Sequence, residues 1–105
     1  MKKVIKNGKI AVLYSPGWGA GWSTWNTNYS EELIFHEKIV EMVEMGIQHE
    51  IDEDWIKLNI GIDDCYTGGA EDLRIEWIPI GTKFTIYDYD GWETIITTND
   101  LQFIA

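Results

Sequence analysis

The chain has 105 residues, 45 % hydrophobic and 13 % aromatic, which excludes general disorder and suits one globular domain, residues 1–105, with a modest core of its own. A net charge of −10 is unevenly placed: Lys2, Lys3, Lys6 and Lys9 are half of the eight basic residues, so from Ile10 onward four cations face all eighteen acids. That balance argues against direct nucleic-acid binding, which rests on cations that neutralise phosphates. No apolar run approaches the roughly 20 residues of a membrane span, and a single Cys65 allows no internal disulfide. Together with the absence of an export signal after Met1-Lys2-Lys3, these features give the expectation of a cytoplasmic protein with no membrane partner.

In chain order, Lys2 to Asn7 alternates weakly and Asn7-Gly8 is a two-residue turn signal, predicting a first hairpin. Its second strand, Ile10 to Tyr14, is apolar nearly throughout and predicts burial on both faces. Pro16 ends it, and Ser15 to Trp25 (SPGWGAGWSTW) then places Gly17, Gly19 and Gly21 among Trp18, Trp22 and Trp25. Glycine alternation allows close backbone approach, and Trp offers a flat face and one N–H donor, so this loop is expected to hold something. Ser30 reads as a fair N-cap without a capping box. The helical pattern strengthens from Glu37, with Ile39, Val40 and Val43 on one face and Glu37, Glu41 and Glu44 on another, and it stops at Gly46.

Residues 47–62 are ambiguous. Asp52 with Glu53 and Asp54 allows a short helix, but the alternation of Leu58, Ile60 and Ile62 favours a turn or short helix followed by a strand from about Ile56 to Ile62. Leu73, Ile75 and Trp77 alternate as a strand, and Pro79 and Gly81 turn the chain. With Asp90-Gly91 as its turn, a second hairpin pairs Tyr89 with Trp92, Asp88 with Glu93, Ile86 with Ile95 and Phe84 with Thr97. Asn99-Asp100 marks a last turn before an apolar tail of Leu101, Phe103 and Ile104. The sum is an α+β fold: a mainly antiparallel sheet of about five or six strands with one principal helix, residues 36–45.

Candidate chemistry concentrates in three places. The Gly17-x-Gly19-x-Gly21 spacing after a strand suits an anion-binding nest, although the dinucleotide and nucleotide-hydrolase glycine motifs are absent. Six Trp and five Tyr supply stacking faces, with Trp18, Trp22, Tyr29, Tyr66, Tyr89 and Trp92 in or beside loops. Asp88 and Glu93, opposed beside Asp90, would receive a ribose, a metal or a partner's Arg, or else splay into water, which is the expectation preferred here. Asp52-Glu53-Asp54 is no calcium loop, since Lys57 stands where the required Gly would be, and no metal or other cofactor is expected. Cys65 with His36 or His49 lacks any motif for nucleophilic catalysis, so the chain reads as no enzyme.

Gly19-Ala20-Gly21-Trp22-Ser23-Thr24-Trp25 together with Pro79-x-Gly81-Thr82-x-Phe84-x-Ile86-x-x-Tyr89-Asp90-Gly91-x-Glu93 resembles a family of small, uncharacterised tailed-bacteriophage proteins, over most of the chain. The resemblance carries no settled activity and implies a counter-defence role in an infected bacterial host, by analogy with homo-oligomeric sponges that bind nucleotide-derived alarm molecules between subunits. On that reading Trp22, Ser23, Thr24, Trp25, Tyr89, Asp90 and Glu93 form the pocket, with Gly19 and Gly21 at a phosphate or ribose edge. Arg74, Lys38 or the N-terminal lysines then supply the cation a phosphate needs. The expected function is sequestration of a small nucleotide-like signal by a homo-oligomer without catalysis. The alternative is an acidic inhibitor that docks on the basic surface of a nucleic-acid-handling defence protein.

Overall fold

The computed structural model describes residues 2–18 and 20–97. The turn expected at Asn99-Asp100 and the apolar tail after it lie outside the described residues. Five antiparallel strands form two sheets rather than the one expected, with three α-helices between the second and third strands in sequence. Strands β1 (Ile5–Lys6), β2 (Lys9–Tyr14) and β3 (Arg74–Pro79) make one sheet in that order, and β4 (Phe84–Tyr89) with β5 (Trp92–Thr97) makes the other.

Both hairpin turns fold for the expected reason. Asn7 and Gly8 adopt φ of 52° and 75°, and Asp90 and Gly91 adopt 51° and 86°. Paired positive φ values give the turn whose twist matches the strands it joins. The β4–β5 register is the predicted one, Tyr89 opposite Trp92, Asp88 opposite Glu93, Ile86 opposite Ile95 and Phe84 opposite Thr97.

Strand β2 is buried on both faces, as its apolar run predicts. Ala11 and Leu13 face a core with Trp22, Leu33, Ile39, Val40, Ile56 and Leu73, while Val12 faces the other way, toward Phe35, Ile78 and the half-buried Phe84, Ile86 and Ile95. The second hairpin, with Ile34 and Phe35 from the helical region, therefore lies over one face of the three-stranded sheet, and Leu33, Ile39, Val40 and Ile56 from that region lie over the other.

The helical region departs from the expectation of one principal helix: there are three, α1 (Ser30–Phe35), α2 (Glu37–Glu44) and α3 (Glu53–Asn59). His36 separates the first two by taking extended geometry, and its Nδ1 accepts from the Lys38 N–H at 3.1 Å, capping α2. Ser30 lies inside α1 rather than capping it, because Tyr29 takes the N-cap position. Gly46 ends α2 as predicted: at φ 72° it donates to Val43 while Ile47 donates to Met42, a Schellman closure.

The strand expected at Ile56 to Ile62 is not formed; those residues belong to α3 and the turn after it. Asp52 accepts the Trp55 N–H at 2.8 Å, and Glu53 and Asp54 stand in the first turn, where negative charge suits the exposed N–H groups. Leu58, which carried the apparent alternation, is 85 % exposed, while Ile56 is fully buried. No helix among the described residues is long and apolar enough to cross a membrane.

Candidate functional site

The glycine and tryptophan loop is organised around Glu93. This carboxylate is fully buried. Its Oε1 accepts the Ser15 N–H at 2.9 Å, and its Oε2 accepts the Trp22 N–H at 2.8 Å, the Thr24 N–H at 3.0 Å and the Thr24 hydroxyl at 2.6 Å. The Glu93 N–H in turn donates to the Ser15 carbonyl at 2.9 Å, joining the start of β5 to the end of β2. The loop does cradle an anion, and that anion is the protein's own carboxylate, held by the N–H groups of Ser15, Trp22 and Thr24 that flank the glycine run.

The expectation that Asp88 and Glu93 splay into water is therefore overturned. They share the inner face of the hairpin with Ile86 and Ile95, and donors separate their charges. Asp88 accepts the Trp25 indole N–H at 3.0 Å through Oδ2 and the Gly91 N–H at 2.8 Å through Oδ1.

Other bonds fix the loop from behind. The Trp22 ring is buried in the main core, and its Nε1 donates at 2.8 Å to the Leu33 carbonyl, one of the last four in α1 that lack a helical partner. Asn26 is a second hub that the sequence reading missed. Its Nδ2 donates to the Trp22 carbonyl at 2.8 Å and the Tyr66 carbonyl at 2.9 Å, and its Oδ1 accepts the Tyr66 N–H at 2.8 Å. Ser15 Oγ donates to the Gly69 carbonyl at 2.9 Å. A Cβ on Gly21 would stand 2.5 Å from the Trp25 ring and 2.7 Å from Thr24 Oγ1, while Gly17 packs on the Asp72 side chain. At these two glycines the close backbone approach anticipated from the sequence is used for internal packing.

The expected pocket residues thus fall into two groups. Gly21, Trp22, Ser23, Thr24 and Glu93 hold the loop together from inside, and Gly19 lies outside the described residues. Trp25, Tyr89, Asp90 and Arg74 are on the surface. Three rings that the sequence had placed only in loops join them. Trp18 meets Trp92 edge to face with centroids 4.9 Å apart and Tyr89 at 6.3 Å, and Trp25 stacks at a tilt on Tyr66 at 5.3 Å. All five rings are at least 37 % exposed. The Trp18 cluster and the Trp25–Tyr66 pair flank the tip of the second hairpin, where Asp88 and Asp90 stand. Beside Trp92 a cleft of about 260 Å³ opens against Tyr14, Pro16, Glu76 and Thr94.

The cations other than Arg74 lie away from this end or are tied to partners of their own. Lys9 starts β2 and Lys83 precedes β4, so each lies a strand's length, roughly 17 Å, from the ring-bearing ends at Tyr14 and Tyr89. Lys2 pairs with Glu37 at 3.8 Å, Lys6 with Glu44 at 2.7 Å and Lys57 with Asp63 at 3.5 Å. Lys38 donates to the Asn59 carbonyl at 3.2 Å. Of the cations named for phosphate binding, Arg74 alone stands near the rings, opposite Tyr14 in the β2–β3 ladder and on the same sheet face as Glu76.

Cys65 is buried, and desolvation, with Glu53 adding to it, pushes its thiol up to about 11. Burial and the neighbouring Lys38 hold the His36 pKa below its usual value, with Glu37 and Glu32 opposing them, and the ring serves as a helix cap. No three of His, Cys, Asp and Glu converge on a possible metal position among the described residues. No protein-family model, no curated protein and no solved structure matches the chain.

Proposed function

We propose that this chain is a non-catalytic binding protein whose ring-and-carboxylate end docks on a basic surface of another protein. The observation that supports this reading is the segregation just described: five exposed rings with Asp88, Asp90 and Glu76 among them, and Arg74 as the cation beside them. Exposed Trp and Tyr are the commonest anchors of protein interfaces. Their faces attract Arg and Lys, and nearby carboxylates strengthen that preference while repelling anions. Given the resemblance to tailed-phage proteins, the proposed partner is a nucleic-acid-handling defence enzyme of the bacterial host, met in the host cytoplasm and blocked at the groove where it binds nucleic acid.

Sequestration of a nucleotide-like signal is the second reading. The exposed rings and the cleft beside Trp92, with Arg74 on the adjoining sheet face, favour it. Against it stand the carboxylates around those rings and the Ser15, Trp22 and Thr24 donors already taken by Glu93.

One experiment separates the two. The protein is expressed in cells carrying an active nucleotide-signalling defence and examined by native mass spectrometry, and in parallel it is titrated into purified basic bacterial nucleases cleaving duplex DNA. The docking reading expects bare protein in the spectrometer and inhibition of at least one nuclease. That inhibition weakens steeply between 50 and 500 mM salt, on the order of the losses known for multi-contact charged interfaces. It also falls at least about tenfold in Trp18→Ala or Asp90→Asn, the size expected of an interface anchor. A discrete co-purifying mass of several hundred daltons, on the order of one nucleotide ligand, with no nuclease inhibited, overturns docking in favour of sequestration.

A further inference from the structure

A second surface, independent of the aromatic end, lies along β4. In a two-residue hairpin the residues flanking the turn exchange hydrogen bonds, so Tyr89 with Trp92, Tyr87 with Thr94 and Thr85 with Ile96 are the bonded pairs. Asp88, Ile86 and Phe84 on β4, and Glu93 and Ile95 opposite them, then point their N–H and C=O groups out of the hairpin. The Glu93 N–H bond to Ser15 shows this outward direction directly on the β5 side. On the β4 side, no hydrogen bond to the outward backbone groups of Ile86 or Phe84 is present among the described residues. Among the described residues, strand β4 therefore has an open edge.

That edge borders a groove of about 380 Å³. Phe84 and Ile86, whose side chains pack toward Phe35, line it together with Thr85, whose side chain turns to the opposite face, so the strand's edge runs along the groove. Ile34 and Phe35 of α1 make its floor, and Ser23, Thr27, Ser30 and Glu31 make its far wall. One end is closed by the Trp25 bond to Asp88. Glu31 is the one charged residue in this lining, and Lys3, which stacks on Phe35 at 4.3 Å, lines a different cleft with Ile10 and Val12.

We infer that the open edge of β4 is a docking site for a single extended, cationic polypeptide segment, which adds to the hairpin as a third strand. Charge disfavours a second copy of this chain as the occupant, since a protein with a net charge of −10 would bring like charge to Glu31. The floor calls for apolar side chains at alternate positions. Glu31 on the wall, without a lysine or arginine beside it in the lining, calls for Lys or Arg at positions between them. Main-chain bonds give such a complex its affinity and the alternate pockets its selectivity. This inference rests on backbone direction and stands or falls separately from the docking of the aromatic end.

The probe is a capped eight-residue peptide alternating Val and Lys, with a Val and Glu counterpart, titrated into the intact protein and followed by amide NMR and hydrogen exchange. Saturable binding is expected, with shifts at Ile86, Thr27 and Ser30 and at least tenfold slower exchange of the Ile86 amide, on the scale of a newly formed ladder bond. The Lys peptide should bind about twofold to fivefold more tightly than the Glu peptide, the range of one exposed ion pair. N-methylation of the peptide should abolish binding at every second position and leave it intact at the others, a pattern that side-chain docking cannot produce. Thr27→Trp, which fills the groove from the wall, and Ile86→Pro, which removes an outward N–H at a strand edge where proline is tolerated, should both lose the peptide. If Ile86→Pro does not fold, Thr27→Trp and the methyl scan carry the test. Absence of binding at millimolar peptide, indifference to N-methylation, or protection of Ile86 by self-association alone would each overturn the inference.

Discussion

Replacing Glu93 with Gln tests the central structural claim, because it keeps the shape of the side chain and removes only its charge. Glu93 accepts four hydrogen bonds in a fully buried setting. Bonds to a charged acceptor contribute about 1.5–3 kcal/mol each and neutral ones about 0.5–1.5 kcal/mol. In the best orientation of the carboxamide, its oxygen keeps the Trp22 and Thr24 donors, and those three bonds weaken by about 1 kcal/mol each. Its NH₂ then faces the Ser15 N–H, donor against donor, and the unpaired buried donors cost a further 1–3 kcal/mol or so. The sum, about 4–6 kcal/mol, is a large part of the roughly 5–15 kcal/mol that holds a domain of this size together. Urea denaturation followed by tryptophan fluorescence reads it, and with a slope of about 1–3 kcal/mol/M the midpoint should fall by about 1.3 M or more. A ligand-binding carboxylate would behave in the opposite way, since neutralising a buried functional charge leaves stability unchanged or raises it. A Glu93→Gln midpoint within about 0.3 M of wild type, less than 1 kcal/mol on that slope, would refute the anchoring role.

Three further outcomes are expected. With its thiol pushed up to about 11 from an ordinary 9.0, Cys65 holds about a hundredfold less thiolate near pH 8 than a free cysteine, so Ellman's reagent should label the native protein at least that much more slowly and label it freely in urea; prompt native labelling would contradict its burial. His36 has a folded pKa below its unfolded value of 6.5, so its contribution is complete above pH 6.5 and is lost as pH falls through the folded value, when Nδ1 becomes protonated and can no longer cap α2. Melting temperatures of His36→Asn and wild type should therefore run parallel above pH 6.5, with wild type losing ground below it; curves parallel down to pH 5 would remove the cap from the account. Gly21→Ala should destabilise by about 1–3 kcal/mol in the same urea assay, because the atoms its Cβ meets are fixed by Glu93 and Asp88 and cannot give way; an unchanged midpoint would show that the loop relaxes.

The parts of the fold legible in the sequence are those set by local chemistry. The turns Asn7-Gly8 and Asp90-Gly91, the stop at Gly46 and the run Ile10 to Tyr14 each contain their own reason. The helical region was less legible because its determinants are distant or weak. Six-residue α1 ends where His36 pairs with Lys3 as an isolated bridge, a contact no local pattern announces. In α3 the apolar residues fit both periods, and only the exposure of Leu58 decides between them.

The site was half legible. Register alone assigns Asp88 and Glu93 to the face shared by Phe84, Ile86 and Ile95, so an acid on an apolar face was a signal that donors must come from elsewhere in the chain. Asn26 gave less notice, since an Asn among loop residues reads as a turn former. Which rings are exposed is a tertiary fact: Trp22 and Trp25, three residues apart, end in the core and on the surface.

The burial of Glu93 also bears on recognition. A loop whose N–H groups were free would offer anions a ready site, and a loop of this glycine content left unanchored would lose entropy on binding anything. Here the N–H groups of Ser15, Trp22 and Thr24 are spent internally on Glu93, which fixes Trp22 beneath the surface, while the bond to Asp88 fixes Trp25 at it. What remains for a partner is a preorganised set of rings and carboxylates, whose ordering cost was met on folding. On the proposed docking reading, selectivity at this end follows from charge: faces of Trp18, Trp25 and Tyr89 would stack on a base or a guanidinium alike, and the carboxylates of Asp88, Asp90 and Glu76 favour the guanidinium.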